Sequence, residues 1–193
     1  MVELVPLTGP AIAAHIGDLA RLRITVFRDW PYLYEGDEAY ERDYLSVFAN
    51  TQDALVVLAI DNGAVVGAST GMPLLAEQDY VRAPFQKAGI DEAPIFYFSE
   101  SVLLFSYRGQ GIGVRFFEAR EDFARQKHEW AYFCGVVRAD NHPARPSDFV
   151  PLDAFWKKRG YAPVSGLTAS FSWKDIGDSD ETTKPMAFWR KRL

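Results

Sequence analysis

One stretch limits the fold more than any other: SVLLFSYRGQGIGVRFFEARE, residues 101–121. An apolar run meets glycines at alternate positions, Gly109, Gly111 and Gly113, and an aromatic, helix-period segment follows at once. The apolar run, starting at PIFYFSESVLLF, reads as a central strand. Phe116, Phe117, Phe123 and Ala124 form an inward stripe, so residues 113–127 read as a helix. A helix start has free N–H groups and a partial positive charge. Glycines just before it let a phosphate approach that backbone closely. Strand, RGQGIG and helix therefore make a phosphate site. A plain turn and cap would not call for three glycines in five positions.

The rest of the chain supplies an α/β frame. Residues 2–7 read as a strand. Residues 10–28 read as a helix, with Ile12, Ile16, Leu19, Leu22 and Val26 at three- and four-residue steps. Pro31 and Gly36 break the segment DWPYLYEGDE, and a second helix follows over residues 38–48. ALVVLAI, DNG and AVVGASTG make a hairpin, because Asn62-Gly63 suits a type I′ turn. A short helix falls near residues 80–87. WAYFCGVV is a buried strand, and a proline-marked loop follows it. Residues 151–159 form a short helix capped by Gly160. Two last strands, near residues 167–174 and 185–191, flank the acidic loop DIGDSDETT. The order predicts a mixed sheet with helices packed on it, as one domain over residues 1–193.

Composition narrows the function. The 193 residues are 48% hydrophobic, with a formal net charge of −5 and no basic stripe, which argues against nucleic acid as a partner. The single cysteine, Cys134, excludes a disulfide framework and reads as a buried, inert thiol. No His/Cys/Asp/Glu spacing suggests a metal. MVELVPL lacks the features of a signal peptide and no run is long enough to cross a bilayer, so the expected location is the cytoplasm. A homodimer stays open.

The phosphate ligand can be narrowed by elimination. The loop has no lysine for a P-loop, and Val114 stands where G-x-G-x-x-G needs its last glycine. What remains is R-x-x-G-x-G. Here the sequence resembles the GNAT superfamily of acetyl-CoA-dependent N-acyltransferases over nearly its whole length. The DNG hairpin, YRGQGIG, VRADN and AFWKKRGY carry the resemblance.

The resemblance implies a mostly antiparallel central sheet, splayed in the middle, with helices on both faces. It implies acetyl-CoA as acyl donor. Its diphosphate would lie on the backbone of Gly109, Gln110, Gly111, Ile112, Gly113 and Val114, with Arg108 opening the motif. Val102 and Leu103 would pair with the pantetheine arm, and Asn141 would touch the cofactor. The family's usual tyrosine acid is replaced by Trp156, and a second family base position by Val136. Either Tyr161, Tyr107 or another tyrosine substitutes as the acid, or solvent protonates the thiolate.

Glu100 is the only acid in its strand and the first candidate base. Strict alternation puts it on the face opposite Tyr97 and Ser99. A β-bulge would turn it inward, and an arginine partner would silence it. Trp30, Tyr32, Tyr34 and Glu35, with Tyr97 and Ser99, are the candidate walls for a small cationic amine. His142 is an alternative base, while His15 and His128 read as surface. The expected activity is acetyl transfer to a primary amine of a small molecule or amino acid derivative. A cofactor-binding domain without catalysis, and an enzyme that acylates oxygen or uses a longer acyl chain, are the competing expectations.

Overall fold

The computed structural model describes residues 1–193. Seven strands form one sheet: β1 (Glu3–Leu7), β2 (Leu55–Asp61), β3 (Ala64–Pro73), β4 (Ile95–Leu103), β5 (Trp130–Val136), β6 (Ala162–Trp173) and β7 (Thr182–Arg192). They lie in the order β1-β2-β3-β4-β5-β7-β6. Every neighbouring pair is antiparallel except β4 and β5. The β2–β3 turn has positive φ at Asn62 and Gly63, as a two-residue hairpin requires.

Helices cover both faces. On one lie α1 (Ile16–Phe27), α2 (Glu38–Asn50) and α3 (Asp79–Lys87); on the other lie α4 (Ile112–Ala124) and α5 (Asp153–Lys158). Phe116, Phe117 and Ala124 of α4 bury themselves against Leu55, Val57 and Phe96. Leu19, Leu22 and Leu45 pack on Val56, Leu58 and Ala68 from the opposite side. The first helix begins later than its periodicity suggests. Pro10 opens a 3-10 segment, Gly9–His15, and regular α-helix starts at Ile16. The last two strands extend beyond their expected limits, because Pro163 and Gly166 hide the start of β6. His128 is half-buried rather than superficial, its ring packed on Phe96. No helix is long and apolar enough to cross a membrane.

Two irregularities in β4 shape everything near it. β4 and β5 pair only at Ile95↔Trp130, Phe96↔Ala131 and Tyr97↔Tyr132, so the sheet parts beyond Tyr97. On the other edge, the register with β3 passes from Met72↔Tyr97 to Thr70↔Glu100, which inserts one extra residue in β4. This bulge breaks the alternation. Ser99 and Glu100 both turn toward the α1 side, while Ser101 turns toward α4.

A bulge leaves backbone groups without ladder partners. Here the side chain of Arg120, on the inward side of α4, donates to carbonyls on both strands beside the bulge. Its Nη1 donates to the carbonyls of Thr70 (3.3 Å) and Glu100 (3.1 Å). Its Nη2 donates to Ser101 Oγ (2.9 Å), and Nε to the Phe116 carbonyl (3.2 Å). The guanidinium also lies 4.3 Å from the ring centre of Phe98 and 5.0 Å from that of Phe117. Burial lowers its pKa to about 10, which still leaves it a cation at neutral pH. Arg120→Ala would strand two carbonyls and open a void. It is expected to cost about 3 kcal/mol or more, measurable as a lower midpoint in urea unfolding.

Candidate active site

The parted strands open on two sides. Toward α4 lies the glycine loop. Gly109 (φ 76°) and Gly111 (φ 80°) adopt left-handed backbone, and Gly111 caps α4. A side chain at either would meet open space, so the constraint there is the backbone angle rather than crowding. None of the amides of residues 109–114 finds an acceptor within the protein. Six consecutive donors thus stand without a protein acceptor at a helix N-terminus, an arrangement suited to a diphosphate. Arg108 lies beside them, its Nε donating to the Leu103 carbonyl (3.2 Å) and Nη2 3.7 Å from Asp29. Beyond Tyr97, β4 has no partner on the β5 side as far as Leu103, so that edge is free to pair with an extended ligand.

Toward α1 and α2 lies a cavity of about 590 Å³. Tyr32, Tyr34, Tyr44, Phe171 and Trp173 supply aromatic wall, and Ser99 and Glu100 supply the floor. Of its lining charges, Arg23 and Lys174 are positive, and Glu35, Asp37, Glu100 and Glu181 are negative. Arg23 is held between Glu100 and the fully buried Glu41. Lys174 pairs with Glu35 at 2.9 Å. Asp37 and Glu181 have no ion-pair partner, so the cavity keeps a negative balance.

The segment after α1 reaches this wall by strong tethers. Arg138, just past β5, donates to the carbonyls of Pro31 (2.8 Å) and Tyr32 (2.7 Å) and grips Asp175 through two nitrogens (2.7 and 2.9 Å). Lys184 reaches Asp175 from β7 at 3.0 Å, and the Trp173 indole donates to the Tyr32 carbonyl at 2.9 Å.

The structure places the expected site residues unevenly. Tyr32, Tyr34, Glu35 and Ser99 line the cavity. Tyr97 is buried behind the wall, where its hydroxyl and Cys134 Sγ share a hydrogen bond of 3.0 Å. Trp30 departs from expectation: its ring packs on His142 and Phe149 rather than on the cavity, because the long loop after β5 folds back over it. Tyr161 also departs. It is buried on the α4 face among Phe98, Phe117 and Phe133, donating to Glu121 Oε1 at 3.1 Å, and does not line the cavity. Glu100 does turn inward at the bulge, but Arg23 occupies it. Val102 is fully buried against the α1 layer, Leu103 is partly buried, and Asn141 is exposed in the turn after β5. Trp156 lies over β5 against Gly135, where a Cβ would come within 3.0 Å of its ring.

Several residues escaped sequence reasoning. Arg23 and Arg120 are charges on apolar helix faces, a signal that was present. Glu77 gave none. It sits in the loop before α3, 7% exposed and paired with no cation, accepting from the Ser99 hydroxyl at 2.5 Å and from the Gln78 N–H at 3.3 Å. Burial raises its pKa above the ordinary carboxylate value, and the Ser99 bond opposes the rise.

This architecture is the GNAT fold. A ribosomal-protein-alanine N-acetyltransferase from Brucella melitensis matches with a TM-score of 0.62 at 16% identity, over 99% of this chain and 99% of that one. NAA60 of Arabidopsis thaliana, solved with acetyl-CoA, matches at 0.63 and 13% identity, over 100% and 99%. An aminoglycoside 6'-N-acetyltransferase solved with coenzyme A matches at 0.58 and 17% identity, over 100% and 96%. At these identities the likeness establishes the fold. No family model and no curated protein matches the sequence.

The Asp175 network carries a pH signature. Burial would raise this carboxyl, but hydrogen bonds and charge from Arg138 and Lys184 outweigh it and hold the group below its ordinary 3.8. A lowered folded-state value stabilises the fold above the unfolded value and is lost as pH falls through the folded one. Asp175→Asn is expected to lower Tm at neutral pH, with the gap from wild type narrowing below pH 3.8. Thermal unfolding followed by circular dichroism across that range checks it.

Proposed function

We propose that the protein is an N-acetyltransferase that moves an acetyl group from acetyl-CoA to a primary amine of a small molecule or amino acid derivative. The observation that carries this reading is the row of six unpartnered amides beside the parting of β4 and β5. The row fits a diphosphate, the free strand edge fits the amides of a pantetheine arm, and the gap leads to the cavity. The solved neighbours that hold acetyl-CoA or coenzyme A on this fold support the same donor.

When bound, acetyl-CoA supplies an acyl carbon activated as a thioester. The residues of this chain do the rest. Amides of Gly109, Gln110, Gly111, Ile112, Gly113 and Val114 hold the diphosphate, with Arg108 alongside. The free edge of β4 near Val102 and Leu103 aligns the arm and offers an N–H to the developing oxyanion. Asp37 and Glu181 draw in an ammonium group, and Tyr32, Tyr34 and Trp173 enclose it. An alkylamine with pKa about 10.4 must lose a proton before it attacks. With Tyr161 buried elsewhere and Trp156 unable to act as a phenol, solvent protonates the leaving thiolate. A cavity of this size suits a small acceptor.

A cofactor-binding domain without turnover is the second reading, favoured by the Arg23 contact that occupies Glu100. Incubation with acetyl-CoA and a panel of amines separates the two: released thiol supports the enzyme, and coenzyme A binding with no release by any amine supports the second.

The cradle itself is tested at Gly113. It does not have positive φ, and a Cβ there would sit 3.7 Å from Phe155, an ordinary contact. Gly113→Asp is expected to fold with unchanged or higher stability, since an acid suits a helix N-terminus. Its coenzyme A affinity is expected to fall about 100-fold or more by crowding and like charge. Calorimetry giving unaltered affinity would refute the cradle.

A further inference from the structure

We propose that Glu77, acting through Ser99, accepts the proton of the incoming amine. The inference rests on the acetyl-transfer reading and deepens it. Its first support is position. Ser99 lies just beyond Tyr97, the last β4 residue paired with β5, so its hydroxyl stands at the mouth of the gap and on the cavity floor. Ser99 shares the face of Tyr97 by ordinary alternation, and the bulge then turns Glu100 to that same side. Its second support is the partner behind it: Ser99 Oγ donates to Glu77 Oε1 at 2.5 Å, a length typical of a hydroxyl bonded to a carboxylate.

The third support is the contrast between two buried carboxylates. Glu100 faces the cavity but its charge is taken by Arg23, which Glu41 grips from the other side. Glu77 has no cation. Burying a carboxylate without one is costly, and its surroundings do not relieve the cost. Facing it are Tyr44 of α2, Tyr80 of α3, Tyr97 of β4 and Cys134 of β5. Only the Ser99 hydroxyl and the Gln78 amide donate to it. Such an acid holds a proton more readily than an exposed one and passes through its titration nearer neutrality.

The step balances. Ser99 Oγ takes a proton from the ammonium nitrogen as its own proton passes to Glu77 Oε1. The freed lone pair forms the C–N bond to the acyl carbon, the C–S bond breaks, and the sulfur leaves with the electron pair. The second amine proton is lost to solvent, which protonates the thiolate. Glu77 then returns its proton through Ser99 to solvent, the one net proton the reaction releases.

Glu77 is a positioning residue in this scheme, so three readouts test it. In Glu77→Gln, kcat/KM is expected to fall about 100-fold with coenzyme A affinity unchanged. The rise of wild-type activity with pH should flatten in that variant. Ser99→Ala, a smaller change that keeps the fold if Glu77→Gln does not, should lose activity similarly. In the ligand-free protein, carbon NMR should show Glu77 titrating above 4.5. In Ser99→Ala it should titrate higher still, because the bond that favours the carboxylate is gone. Turnover and pH profile unaltered in either variant, or a Glu77 titration indifferent to Ser99, would overturn the proposal alone. A wild-type protein that acetylates no amine would overturn it together with the acetyl-transfer reading.

Discussion

The buried guanidinium of Arg120 is the contact on which the site depends. It binds two carbonyls beside the bulge and the hydroxyl of Ser101, all from the α4 side. With those groups satisfied, β4 can carry an extra residue inside a packed sheet. That residue shifts the alternation, and Ser99 and Glu100 come to face the cavity together. An arginine here costs desolvation, offset by four hydrogen bonds and two aromatic faces. The helix that presents its first amides to one half of the cleft thus also fixes, two turns later, the strand that floors the other half.

Charge is distributed across the cavity in an economical way. Both lining cations are already paired, Arg23 with Glu41 and Glu100, Lys174 with Glu35. A cation entering the cavity would therefore meet little opposing positive field, with Asp37 and Glu181 left to attract it. The wall is kept in place by Arg138, which ties the segment after α1 to the end of β5 and to the turn after β6. Its partners Pro31 and Tyr32 lie more than a hundred positions away, 107 and 106 respectively.

That distance explains what could be read from the sequence. The glycine loop was legible because its demands are local: positive φ at two positions, a helix start and a preceding apolar strand. The order of helices and strands followed from periodicity, except where Pro163 and Gly166 interrupt β6. The face on which an aromatic residue ends was not legible. Trp30 and Tyr161 have suitable chemistry, yet tertiary packing takes the first under the loop after β5 and the second behind the sheet. The inward turn of Glu100 required a bulge that its own strand does not announce, since the compensating Arg120 stands on another element. Glu77 lies in a connection with no pattern at all, and only the folded chain brings it to Ser99.

Cys134 has a practical meaning. The protein has one thiol, hydrogen-bonded to Tyr97, and burial pushes its pKa up to about 12. At neutral pH it holds almost no thiolate, the form that attacks disulfide reagents. Such a thiol reacts slowly with colorimetric sulfhydryl dyes, so in an assay of thioester cleavage the protein's own background would be low.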